Sequence, residues 1–175
     1  MSAAADNIEN HKDTYAIVGE LVLISSALDT LLNQVIVEVL NLGSAPLILP
    51  VVATLDPVRK MEILKERASH IRNADWKKGV TRFVDKVESV FKHRNSACHT
   101  PAVLEGRTWT LKPIAAAKML KKLDIEQKKL KHFSFDDLRT AIRTGESALG
   151  LGVNLVDNFK RVNAETARRA ELAKK

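Results

Sequence analysis

The chain has 175 residues, 45 % apolar but only 5 % aromatic, which suits one domain with an aliphatic core and argues against an all-β fold. Its formal net charge of +7 fits a polyanionic partner as well as plain solubility. The one cysteine, Cys98, excludes a disulfide framework and a cysteine-based zinc cluster.

Met1–Asn10 has neither a basic nor an apolar leader segment, so no signal peptide is expected. No apolar run reaches the about 18 residues that a membrane span needs. The expectation is a cytoplasmic protein with no membrane partner.

The first helix is expected from Asn10 to Leu42. Ile17, Leu21, Ile24, Leu28, Leu31, Val35 and Val39 recur at steps of four and three, and Val18, Val22, Leu32, Ile36 and Leu40 widen the stripe. Asn41-Leu42-Gly43 supplies the stop, with Gly43 free to take φ > 0. The linker Ser44–Leu55 is apolar throughout, which fits a cover over a core edge or, as the lesser alternative, a subunit interface.

Asp56-Pro57 starts a second helix, as an N-cap followed by proline at the first helical position. Its inner stripe is Met61, Leu64, Ala68 and Ile71, and it ends near Asn73. Asp75 is the expected cap of a third helix with the stripe Val80, Val84, Val87 and Phe91, stopping by Thr100 because Pro101 disfavours helix before it. Residues 102–113 read as a short β-hairpin that must lean on the helices. Residues 114–131 are ambiguous between helix and loop.

Ser134 caps a fourth helix, with Asp137 three residues on as in a capping box. Its stripe is Leu138, Ile142, Gly145, Leu149, Gly152, Val156 and Phe159. Two glycines there cost helix propensity and make sense where another helix packs unusually close. From Lys160 to Lys175 a basic tail of fraying helix is expected. Together these elements predict an all-α protein: an antiparallel, up-down four-helix bundle with a β-hairpin inserted after the third helix. The whole chain reads as one domain, with its core at 10–160 and a basic tail at 161–175.

The third stripe, continued past Phe91, reaches positions 94 and 98. Cys98 suits a buried, inert thiol there. Position 94 is arginine, and a guanidinium in an apolar seam is costly unless it is paired or opens onto a cleft. Pattern breaks of this kind gather at functional sites. Asn95 and His99 lie four apart on one face, whereas Arg94 and His99 are separated by roughly 140° on a helix of 3.6 residues per turn. Two helices crossing at a two-fold axis would bring an arginine and a histidine to one cleft more easily than one helix does. His93 and His99 lack a common metal-ligand spacing, and no carboxylate lies between them, so no metal and no cofactor is expected.

The segment Arg94-Asn95-Ser96-Ala97-Cys98-His99, on the third helix of a basic helical chain, resembles the HEPN superfamily (higher eukaryotes and prokaryotes nucleotide-binding). The family's hallmark is an arginine, a polar residue beside it, and a histidine four to six residues on. The resemblance implies a metal-independent, homodimeric ribonuclease, with Arg94 and His99 catalytic and Asn95 accessory. It also implies a toxin or phage-defence role and an antitoxin or regulatory partner. RNA is the expected partner, contacted weakly by Lys92, His93, Lys121, Lys122, Lys128 and Lys129. A non-catalytic binding or regulatory module of the same fold is the alternative. A DNA-binding bundle is a weaker third reading, without a helix-turn-helix to support it.

Overall fold

The computed structural model describes the backbone of residues 3–99, 102–105, 108–111 and 134–174, with side chains at 13–99 and 134–174. Five helices are described: α1 (Ala3–Val39), α2 (Ile48–Ala53), α3 (Pro57–Ser69), α4 (Ala74–Cys98) and α5 (Phe135–Leu172). The protein is all-α in class. Two four-residue strands, β1 (Ala102–Glu105) and β2 (Thr108–Leu111), pair antiparallel with Ala102 opposite Leu111. The residues joining them, 106–107, and residues 112–133 lie outside the described residues, so the reading of 114–131 does too.

Helix starts follow local chemistry. Asp56 accepts from the Arg59 amide at 3.0 Å, with Pro57 at the first helical position. The capping box of α5 is formed: Ser134 accepts from the Asp137 amide, and the Asp137 carboxylate accepts from the Ser134 amide. α4 differs from expectation. Its cap is Asn73, which accepts from the amides of Asp75 and Trp76, and Asp75 sits in the first turn, where its charge faces the positive end of the helix dipole. α1 closes within the expected stop, at Asn41; that residue, not Gly43, takes the positive φ. Asn41 takes a left-handed φ of 53°, which asparagine tolerates, and Leu42 then donates back to the Val37 carbonyl.

α1 is the central helix, packed against α5, α4, α3 and α2. Leu21, Leu28, Leu32, Val35 and Ile36 on α1, Phe83, Val84 and Val87 on α4, and Leu138 on α5 are buried in one core. Gly145 and Gly152 let α5 lie close against its neighbours. A Cβ on Gly145 would collide with Ile24, and one on Gly152 with Leu31 and, at 2.7 Å, with Phe83. The expected close approach is therefore present, and both α1 and α4 take part in it.

These contacts also fix helix directions, and they correct the up-down expectation. Ile24 meets Gly145, Leu31 meets Gly152, and Glu38 accepts from Asn163, so α1 and α5 run the same way. Val90 lies by Gly145, Phe83 by Gly152 and Trp76 by Phe159, so α4 runs opposite to α5. α3 runs with α1, because Lys60 reaches Asp29 while Arg67 donates to the Val39 carbonyl. The chain can do this because residues 40–56 are long enough to turn back along α1, and α2 packs there.

That linker covers the core edge only in part: Val52 belongs to the core and Ile48 packs against it. Only Val52 of α2 is buried, while Leu47, Leu49 and Val51 face outward at 76 %, 47 % and 57 % exposure. Leu47 holds a left-handed φ of 63°, a conformation that costs a non-glycine residue of order 1 kcal/mol. The tail is helical, as expected: α5 continues to Leu172, with Glu165 bound to both Arg168 and Arg169.

Asp13–Val39 is long and apolar enough to cross a membrane by length and composition, which corrects the reading that no such stretch exists. Acidic residues at Glu20, Asp29 and Glu38 break up the apolar run and hide this from a search for continuous apolar sequence. In this fold the same stretch supplies the helix on which the others pack.

Candidate functional site

The seam of α4 runs at seven-residue intervals through Val80 and Val87 to Arg94, and alongside through Phe83 and Val90 to Ala97. Every one of these residues but Arg94 is buried and apolar. Arg94 is half-buried, and its Nε is buried without a hydrogen-bond partner. The guanidinium does not simply run out into solvent, because part of it stays inside the seam. A buried N–H donor left unmatched costs about 1–3 kcal/mol, so this arrangement is poor as a purely structural device.

Asn95 joins the two other members of the motif. Its Oδ1 accepts from Arg94 Nη1 at 3.0 Å, which turns the outer part of the guanidinium toward solvent. Its backbone carbonyl accepts from the amide of His99 at 3.2 Å. His99 is the C-cap of α4, with φ −109° and ψ 9°, and is exposed. Within this one chain the motif thus presents a half-buried cation on the seam and an exposed imidazole where the helix stops.

His93 is half-buried, and its Nδ1 lies 2.7 Å from the Ser89 carbonyl. A carbonyl only accepts, so Nδ1 carries the proton and donates. Lys92 is exposed. No acidic residue occurs between Glu88 and Glu105 in the sequence, so the cationic end of α4 carries no carboxylate of its own. Glu88 is engaged elsewhere: it accepts from Lys65 at 2.6 Å, and this hydrogen bond, ahead of the Coulombic attraction, holds the Lys65 pKa above its ordinary value.

One expectation changes. Cys98 is exposed, and Ala97 takes the buried position, so the thiol is not a core residue. The buried line of α4 keeps its seven-residue spacing through Phe83, Val90 and Ala97, so Ala97 and not Cys98 meets the core. The lysines at 121, 122, 128 and 129 lie outside the described residues. Among the described residues, no group of three His, Cys, Asp or Glu side chains is placed to hold a metal ion.

The sequence reading missed Lys60. Its side chain is fully buried and pairs with Asp29 at 2.7 Å, tying α3 to α1. The available signal was Asp29 itself, an acidic residue next to Leu28 on the apolar stripe of α1.

No protein-family model, no curated protein and no solved structure matches the chain.

Proposed function

We propose that the protein is a HEPN-type, metal-independent ribonuclease whose active site forms between two copies of the chain. In this reading the fold is a four-helix bundle of that family, with helices α1, α3, α4 and α5 and the β1–β2 pair as an inserted hairpin. The observation that carries it is Arg94: a cation placed on the apolar seam, with one nitrogen buried and unmatched and another steered outward by Asn95. Such a residue suits a task outside folding.

The chemistry matches the residue types. The 2′-hydroxyl of RNA attacks the adjacent phosphorus, the O2′–P bond forms and the P–O5′ bond breaks. The products are a 2′,3′-cyclic phosphate and a 5′-hydroxyl end. A proton leaves the 2′-oxygen and one reaches the 5′-oxygen, and His99 is exposed and suited to move them. Charge builds on the non-bridging oxygens, where the Arg94 guanidinium stabilises it through its outward nitrogens. Because Arg94 and His99 leave the helix roughly 140° apart, the pair that meets one phosphate is assigned to two protomers. A toxin or phage-defence role, with an antitoxin or regulatory partner, would suit such an enzyme.

The test is cleavage of varied RNAs in EDTA by the purified protein. Arg94→Ala and His99→Ala are each expected to lower the rate by at least about a hundredfold while remaining folded. Mixing the two inactive variants is expected to restore roughly a quarter of the activity, since half the dimers are mixed and each mixed dimer holds one intact site. Intact RNA with folded wild-type protein overturns the catalytic reading and leaves the non-catalytic module.

A further inference from the structure

The linker segment is the largest feature that the proposed site does not use. From Val39 to Leu55 the chain carries no charged side chain, and Leu47, Leu49 and Val51 stand exposed. Pro46 and Pro50 stiffen the segment, so these side chains are presented by constrained backbone. A hollow of about 430 Å³ opens beside them, lined among others by Glu38, Leu47, Leu49, Pro50 and Lys160, and the Glu38 carboxylate accepts a hydrogen bond from Asn163.

This surface does not belong to the Arg94 site. The hollow lies level with Gln34–Glu38 of α1, whereas Val90, one turn before Arg94, lies level with Ile24. At 1.5 Å per residue the two places are about 20 Å apart along α1. A two-fold axis through the linker would keep the arginines of two copies apart, so the composite site does not explain the exposed leucines.

Charge indicates the occupant. Lys160 borders the hollow, and Arg161 and Arg168, seven apart on α5, share one face of the helix beyond it. Both arginines are exposed, as is Lys174. Glu165 is committed to Arg168 and Arg169. Asn163 marks the level at which α1 ends, so α5 continues past the bundle as a basic extension beside the apolar linker. An uncharged apolar tip flanked by cations matches a bilayer with anionic headgroups: leucines enter the acyl boundary while lysine and arginine meet the phosphates. RNA would satisfy the cations but leave the leucines in water.

We propose that the 45–53 segment and the adjoining end of α5 dock the protein onto an anionic membrane surface, with Leu47, Leu49 and Val51 inserted and Lys160, Arg161 and Arg168 at the headgroups. This is attachment to a surface, not a membrane span.

The experiment is sedimentation of the full chain with vesicles of phosphatidylcholine alone, or with roughly one-third phosphatidylglycerol. Binding is expected to the anionic vesicles only, and to weaken with salt. Leu47→Asp with Leu49→Asp, both at exposed positions, is expected to lower partitioning about tenfold or more. Lys160→Glu with Arg161→Glu is expected to do the same, with helicity unchanged in both. A Leu49→Trp variant keeps the site apolar and should shift its emission to the blue on anionic vesicles. Three results overturn the proposal: no sedimentation, loss of binding with the charge variants but not the aspartates, or a dimer in solution that the aspartates split while the tryptophan stays in water.

Discussion

Among the described residues, Lys60 and Arg94 both carry a cation into the core, and they are treated differently. Lys60, on α3, is fully buried and meets Asp29 of α1, whose side chain is 39 % exposed and so partly hydrated. Arg94, on α4, keeps its Nε buried and unmatched, and its one side-chain hydrogen bond goes outward to Asn95. The first arrangement joins two helices and satisfies the charge. The second leaves hydrogen-bonding capacity unused at a seam position where valine serves one and two heptads earlier. A buried cation with a partner is an element of architecture, and one without is a candidate for work on something outside the fold.

The comparison can be broken most forcefully at Asp29. Asp29→Ala strands the Lys60 ammonium and is expected to cost about 3 kcal/mol, read from the urea midpoint. Adding Lys60→Met should recover most of that loss, because an apolar side chain of similar length fills the space without a charge. If Asp29→Ala costs nothing, the pair is not structural.

Arg94→Leu should move stability in the other direction. It completes the seam, and a gain of about 1 kcal/mol is expected together with loss of RNA cleavage. A loss of stability would make Arg94 a structural residue like Lys60 and remove the contrast. Asn95→Ala should leave stability within about 0.5 kcal/mol, since the side chain is exposed, yet slow cleavage roughly tenfold by releasing the guanidinium.

The smallest effect concerns the end of α5. Hydrogen bonds from Arg168 and then Arg169 hold the Glu165 carboxyl below its ordinary pKa. A carboxylate with a depressed folded-state pKa contributes above its unfolded value and loses that contribution as pH falls through the folded value. Acidification below the ordinary carboxylate range should therefore lower the protection of the amides around 165–169, relative to their intrinsic exchange rates, while Val84 and Leu138 stay protected.

Much of the architecture was legible because it rests on local pattern. The stripes of α1, α3, α4 and α5 follow from spacing, the α5 capping box from Ser134 and Asp137, and the close approach at Gly145 and Gly152 from two glycines where leucines would be expected. The anomaly at Arg94 was legible for the same reason. Helix direction was not, since nothing in the sequence of 40–56 says that it folds back along α1. Nor was Lys60, because a lysine reads as surface until its partner on another helix is known. Cys98 failed by one residue, because the buried line of α4 passes through Phe83, Val90 and Ala97 and leaves the next position outside.

The shared direction of α1 and α5 bears on how the molecule assembles. Ile24 rests against Gly145, so the most apolar helix, made first, finds its main partner only when the last helix has left the ribosome. Until then its seam is a sticky, unmatched surface, and α3 and α4 offer only partial cover. Such long-range closure slows folding and lengthens the time in which a nascent chain can aggregate or be captured by chaperones. A break in synthesis before residue 145 would leave a product that cannot complete its core.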